Sequence, residues 1–203
     1  MTKNIIIDPG HGGGDRGAYR STPNWYLEEK YLTLDISRRV YRMQSIDGGV
    51  HCLMTRYGDI HVPLKERVAI ERWATSTMGS PRDTVFISIH VNSTVDEETT
   101  ARGVCAFFHH KSNDGPDLAR DIVYNIRESI PSMPPYGGGA VSDMGFLGKT
   151  LYVLKHTSCT ACLVEVGFIN NAEDRALLLN EQIRDRIAVG IWDGCNDFWR
   201  GGG

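Results

Sequence analysis

Apolar residues along this chain fall into two alternating patterns. Short, nearly continuous runs occur at Ile5-Ile6-Ile7, at Val85-Phe86-Ile87-Ser88-Ile89 and at Ala161-Cys162-Leu163-Val164. They lack the strict alternation of a half-exposed strand, so they predict strands covered on both faces. His51 to Met54 and Val104 to Phe108 are further strand candidates. Between the runs, apolar residues recur at helical spacing: Leu32, Ile36, Val40 and Met43; then Leu118, Ile122, Ile126 and Ile130; then Ile183, Ile187, Ile191 and Cys195. Leu64, Val68 and Trp73 suggest another helix, with Pro63 near its first turn.

Strands alternating with helices of this length imply an α/β fold, three-layer, with a mainly parallel central sheet and helices on both faces. Residues 131–148 interrupt the rhythm, and Pro134-Pro135-Tyr136-Gly137-Gly138-Gly139 within them predicts a surface loop without regular structure, flanking a groove. A chain of 203 residues suits one domain, expected over 1–200, with 201–203 as a glycine tail.

Composition narrows the choice of partner. The net charge of -3 comes from 22 basic and 25 acidic residues that are intermixed. No basic stripe could neutralise a phosphate backbone, which argues against nucleic acid. No run approaches the ~20 apolar residues that cross a bilayer. The opening Met1-Thr2-Lys3-Asn4-Ile5 runs straight into a strand-like segment, so synthesis without a secretory signal is expected. The five cysteines are odd in number and mostly in apolar segments, which reads as reduced, buried thiols. Cys159 and Cys162 form a CxxC, but Cys162 opens an apolar strand run and no second pair exists; packing is the plainer reading than redox or zinc chemistry.

The candidate chemistry sits at the ends of the runs. Ligands of open α/β sheets gather outside the carboxyl ends of the strands. His11 follows the first run, His90 directly ends the second, and Glu165 directly ends the third. Parallel strands would bring all three to one edge, and Glu29, at the start of the helix after the first strand, would begin near it. Each has a bland reading. A lone histidine is more often a surface or satisfied core residue than a ligand, and Glu29 could be a favourable charge at a helix N-terminus. Glu165 is the least bland, because a carboxylate inside Leu163-Val164-Glu165-Val166 is costly unless paired, hydrogen-bonded or near a metal. Together the four match a zinc site of two histidines and one carboxylate, with an open position and a second glutamate to move protons.

Several ordered segments then carry a family resemblance. Ile5 to Ala18, which includes Asp8-Pro9-Gly10-His11-Gly12-Gly13-Gly14-Asp15, is followed by Leu27-Glu28-Glu29-Lys30, Thr55-Arg56, Leu64-Lys65-Glu66-Arg67, Ser88-Ile89-His90-Val91-Asn92-Ser93 and the stretch from Leu163 to Asn171. In this order they resemble the zinc-dependent N-acetylmuramoyl-L-alanine amidases. The resemblance implies zinc held by His11, Glu29 and His90, with Glu165 as the catalytic carboxylate; the family's glutamate ligand precedes a lysine, which selects Glu29 over Glu28. It implies hydrolysis of the amide between N-acetylmuramic acid and the L-alanine of the peptidoglycan stem by a zinc-activated water. Glu165 would take the water's proton and hand it to the leaving nitrogen.

Within these motifs, Asn92 is a candidate for substrate binding, Arg56, Arg67 and Asn171 for holding loops, and Gly10, Gly12, Gly13 and Gly14 for close approach of the backbone. The chain departs from the family at Thr160, where a proline is usual. His51, His61, His109, His110 and His156 match no motif position and read as structural or surface residues. The setting most resembled is a phage endolysin, expected as a monomer made in the host cytoplasm and acting on the wall after release; a bacterial enzyme trimmed to its catalytic domain would look the same. The alternatives are a zinc carboxypeptidase or endopeptidase acting on another amide of the polymer, and a non-catalytic wall-binding module, which would be expected to lack a ligand or Glu165.

Overall fold

The computed structural model describes residues 2–22, 25–47 and 49–201. Along the chain run β1 (Lys3–Pro9), β2 (Tyr19–Thr22), β3 (Trp25–Glu28), α1 (Glu29–Asp47), β4 (Val50–Met54), α2 (Leu64–Met78), β5 (Thr84–Asn92) and β6 (Val104–Phe108). There follow α3 (Gly115–Ser129), β7 (Pro135–Ser142), α4 (Asp143–Leu147), α5 (Tyr152–His156), β8 (Thr160–Phe168), α6 (Ala172–Leu179) and α7 (Glu181–Arg200). Among these residues one six-stranded sheet has the order β4-β1-β5-β8-β6-β7, and β2 and β3 form a separate hairpin. The first four strands of the sheet are mutually parallel, β6 is antiparallel to β8, and β7 is parallel to β6. The expected three-layer, mainly parallel α/β architecture is what the chain adopts.

The apolar runs take the central strands because both faces are covered. Ile5, Ile7, Val85, Ile87, Ile89, Cys162 and Val164 join residues of α1, α3 and α7 in the larger core. Ile6, Phe86, Ala161 and Leu163, at the alternate positions, join Val68 and Ala74 of α2 and Val153 and Leu154 of α5 in the smaller one. Full burial of each such side chain is worth about 1.5–3 kcal/mol. The period of two then carries the second face onward to Asp8, Ser88, His90 and Glu165. Polar chemistry therefore emerges on the face of the thinner helical layer, toward the strand C-termini. Opposite it, α3 and α7 touch at backbone distance: a Cβ on Gly190 would lie 2.6 Å from Ile126 Cα, and one on Gly194 would lie 2.5 Å from Ile122 Cα.

Two expectations need correction. Residues 131–148 are not an irregular loop, since they hold β7 and α4. The strand tolerates Pro135 and three glycines because it lies at the sheet's edge, where an unpaired backbone side excludes neither. Gly137, Gly138 and Gly139 all have positive φ, and the pairing register with β6 shifts between Val104 and Ala106. In α2 the helix is present, but Leu64 is 53% exposed and Trp73 58% exposed. The helix buries Arg67, Val68, Glu71, Ala74 and Thr75 instead, with the polar members satisfied by hydrogen bonds. No helix among the described residues is long and apolar enough to cross a membrane.

Candidate metal centre

The first histidine is delivered by a buried scaffold. Asp8, near the end of β1, accepts hydrogen bonds from Thr55 Oγ1 at 2.6 Å, Ser88 Oγ at 2.8 Å and Arg67 Nη1 at 2.6 Å. Arg67 also donates to the carbonyls of Pro9 and His11, and Arg56 donates to those of Pro9, Gly10 and Lys30. Both guanidiniums are buried, and charge-assisted bonds to this many acceptors compensate their lost hydration. The expected loop-holding role of Arg56 and Arg67 is visible in these contacts. They fix His11 in the left-handed region at φ 61°, a conformation that a non-glycine residue keeps only where its surroundings over-determine it.

The hairpin β2–β3 then returns the chain to Glu29 at the first turn of α1, which lies between two imidazoles. His11 Nε2 is 3.1 Å from Glu29 Oε2, and His90 Nδ1 is 3.0 Å from Glu29 Oε1. One ligating atom of each residue lies within 4.8 Å of the others. Zinc–ligand bonds of about 2.0–2.2 Å at tetrahedral angles separate neighbouring ligands by about 3.4 Å, so these spacings are close to those of a shared ion. Glu29 is oriented by the N–H groups of Ala18 and Val91. Glu28 turns instead to Tyr26 and Lys30, which places Glu29 and not its neighbour in the cluster.

Two glycines leave room for the cluster. A Cβ on Gly10 would lie 2.5 Å from the His90 ring, and one on Gly17 would lie 2.5 Å from Glu29 Oε2 and 2.6 Å from His11. Gly12 and Gly13 approach Ile60 and His61 rather than His11 or His90, and a Cβ on Gly14 would meet nothing within 4 Å. Asp15 Oδ1 is 2.9 Å from His11 Nδ1 and accepts from Gly17 N at 3.1 Å. A carboxylate on the far nitrogen orients such a histidine and fixes its tautomer. Asp59 ties the Gly13 N–H to the Lys30 ammonium. Sequence reasoning assigned no role to Asp15, Gly17 or Asp59; the spacing of Asp15 four residues after His11 was the one available signal.

The electrostatics separate the two glutamates. Burial disfavours the Glu29 carboxylate, but His11 and His90 outweigh it and hold Glu29 well below the usual carboxylate range. Burial likewise opposes charge on His11, and Glu29 followed by Asp15 overcomes it and lifts the imidazole to about 9. Glu165 is different. It pairs in register with His90 on the neighbouring strand, its Oε2 is buried without a hydrogen-bond partner, and burial pushes its carboxyl up to about 7.

The cluster opens onto two cavities. One of 660 Å³ is bordered by His11, His61, Lys65, His90 and Tyr152, and one of 390 Å³ by Asn92, Tyr136, Phe146, Glu165 and Phe168. His11 and His90 line both. Asn92 reaches the smaller cavity, with its Oδ1 accepting from Ser93 N at 2.8 Å. Asn171 accepts from Glu173 N and Asp174 N and so caps α6. His61 borders the site although it matched no motif, and residues 131–148 reach the groove through Tyr136, Phe146 and Leu147.

Comparisons with known proteins give the family of the chain. The family model described as N-acetylmuramoyl-L-alanine amidase matches residues 5–197. The protein named "Probable cell wall amidase LytH" of Staphylococcus epidermidis is 28% identical over 197 residues, covering 97% of this chain and 58% of that protein. The N-acetylmuramoyl-L-alanine amidase LytC of Bacillus subtilis is 28% identical over 198 residues, with 97% and 35% covered. This chain thus spans little more than half of the first relative and about a third of the second. The solved structure of the N-acetylmuramoyl-L-alanine amidase AmiC2 of Nostoc punctiforme superposes with a TM-score of 0.80 at 28% identity, covering 98% of this chain and 97% of that one. The matched residues include His11, Glu29, His90 and Glu165, and the chain belongs to the N-acetylmuramoyl-L-alanine amidase family.

Proposed function

We propose that this chain hydrolyses the amide bond between N-acetylmuramic acid and the L-alanine of the stem peptide in peptidoglycan, with zinc held by His11, Glu29 and His90 and with Glu165 moving the protons. The observation that carries the reading is the two-histidine, one-carboxylate cluster beside a buried carboxylate with a free oxygen. The donor set suits zinc, and Gly10 and Gly17 lack the Cβ atoms that would crowd it. Zinc, when bound, supplies a Lewis acid for the amide carbonyl and lowers the pKa of water to about 7.

The remaining work falls to the chain's own residues. Glu165 Oε2 has no competing hydrogen bond, so it can accept the proton of an attacking water. A carboxyl raised to about 7 by burial can also give that proton up near neutral pH, to the departing alanine nitrogen. Asp15 keeps the His11 ring oriented. The two cavities on either side of the histidines offer space for a polymer to lie across the site, and Asn92 in the smaller one is the proposed substrate contact. One catalytic unit over 1–200 is part of this reading.

Digestion of purified peptidoglycan with the purified chain tests it. New L-alanine amino termini together with peptide-free glycan support the proposal, whereas cuts confined to the peptides favour a carboxypeptidase or endopeptidase. We carry the phage-endolysin setting, with a monomer acting after release from the cytoplasm, into the same proposal. Lysis from within that requires permeabilised membranes supports it, and lysis without them contradicts it.

A further inference from the structure

We propose a second divalent-metal site, formed by His109, His110 and Asp143, that ties the turn after β6 to the start of α4. The three residues come from separate parts of the chain. His109 and His110 follow the last residue of β6, and Asp143 opens α4 directly after β7. Because β6 and β7 run parallel to each other, their ends meet. They run opposite to β8, where Cys105 faces Glu165 and Phe108 faces Cys162. The turn therefore lies four to five residues, or roughly 13–17 Å, along the sheet from the register position of Glu165, with no residue shared.

The donors are already gathered. One ligating atom from each of the three lies within 4.8 Å of the others. His110 Nδ1 stands 3.2 Å from Asp143 Oδ1, near the about 3.4 Å expected for neighbours around a tetrahedral zinc. The two imidazoles have their centroids 4.5 Å apart. Asp143 is fully buried and held by the N–H groups of His110, Met144 and Leu151. Its Oδ2 accepts only the Leu151 N–H among the described residues, which leaves lone pairs unused.

His109 supplies an independent sign. Its Nδ1 accepts from Lys111 N at 3.3 Å, while its Nε2 is buried with no partner. An ion on Nε2 requires the tautomer that carries its proton on Nδ1, at the expense of the long Lys111 contact. A hydrogen-bonded clip would account for Asp143 alone; it does not account for two imidazoles tilted against each other beside it with a ring nitrogen left over. The consequence reaches the groove, because α4 carries Phe146 and Leu147 into the cavity wall, where Phe146 packs on Phe107 and Tyr136. An ion here would stiffen that wall without touching the reaction.

Zinc titration of the full chain against a chromogenic chelator tests the site. The expected result is two equivalents bound at micromolar free zinc, one fewer in His109→Ala/His110→Ala and one fewer in His90→Ala. An unchanged stoichiometry in the double variant overturns the proposal, as does a single equivalent in the wild type that His90→Ala loses; a single equivalent that the double variant loses contradicts the first centre instead. Should the double variant fold poorly, cobalt(II) added to His90→Ala decides the matter: visible d–d absorption from one bound cobalt is expected, and a spectrum equal to that of free cobalt overturns the proposal. Neither readout depends on amidase activity or on Glu165, whereas the total of two rests on the zinc reading of His11, Glu29 and His90.

Discussion

His90 and Glu165 are register partners on adjacent parallel strands, yet one is hydrogen-bonded to Glu29 and the other keeps a buried oxygen with no partner. Side chains at paired positions share a face of the sheet, so parallel pairing delivers an imidazole and a carboxylate with a free oxygen to the same spot. Directly beyond them the register slips between His90 and Asn92, and Gly167 on the partner strand has φ 126°. Such an irregularity bends the strand out of plane and is common beside functional sites.

Gly17 tests how tightly the centre is fitted. Alanine there would strain a φ of 65° and place a Cβ 2.5 Å from Glu29 Oε2. Displacing a ligand or its support typically costs 10–100-fold in metal affinity. Gly17→Ala is expected to weaken zinc binding by about that factor, measured by chelator competition, while lowering the melting temperature of the zinc-free protein by only a few degrees. Unchanged affinity would show that Gly17 does not border the bound ion.

The contact between α3 and α7 makes a prediction about stability alone. Alanine is a better helix former than glycine by about 1 kcal/mol, but its Cβ at 194 would lie 2.5 Å from Ile122 Cα. Overpacking against backbone costs about 1–3 kcal/mol and outweighs the gain. Gly194→Ala is expected to lower the thermal midpoint by a few degrees, with zinc content unchanged. A rise in the midpoint would mean that the helices are not in backbone contact.

Acid sensitivity follows from Asp35, which joins α1 to α7. Burial disfavours its charge, but Arg39 and Arg184 outweigh this and lower its pKa. A lowered folded-state pKa gives stability that is present above the unfolded value of about 3.9 and is lost as pH falls through the folded value. With the carboxylate 38% exposed, screening limits the effect to about 1 kcal/mol or less. Asp35→Asn is therefore expected to melt slightly below wild type at pH 7 and together with it near pH 2. A difference that persists in acid would point to packing rather than charge.

The central strands were legible because Ile5 and Ile87 are buried on one face and Ile6 and Phe86 on the other, which leaves an apolar run with no alternation. The convergence of His11, His90 and Glu165 followed from the shared direction of those strands. Less was legible where local pattern and tertiary role diverge. Trp73 repeats at nearly helical spacing but faces solvent, because α2 buries Arg67 and Glu71 through their hydrogen bonds. Edge position, which no local pattern records, let Pro135 to Gly139 form β7. Asp15 meets His11 only because His11 is left-handed, and the pairing of His110 with Asp143 needs the parallel alignment of two strands.

The central claim is that Glu29 and Glu165 have different tasks, one holding metal and the other moving protons. Zinc content and initial rate on purified peptidoglycan, measured together for wild type, Glu165→Gln and His90→Ala, test it most directly. Glu165→Gln is expected to keep the wild-type zinc content while its rate falls by about 10²–10⁴-fold, the usual worth of a general acid-base group, and His90→Ala is expected to lose one equivalent of zinc together with its rate. Loss of zinc in Glu165→Gln equal to that in His90→Ala, or a rate in Glu165→Gln near that of wild type, would contradict it.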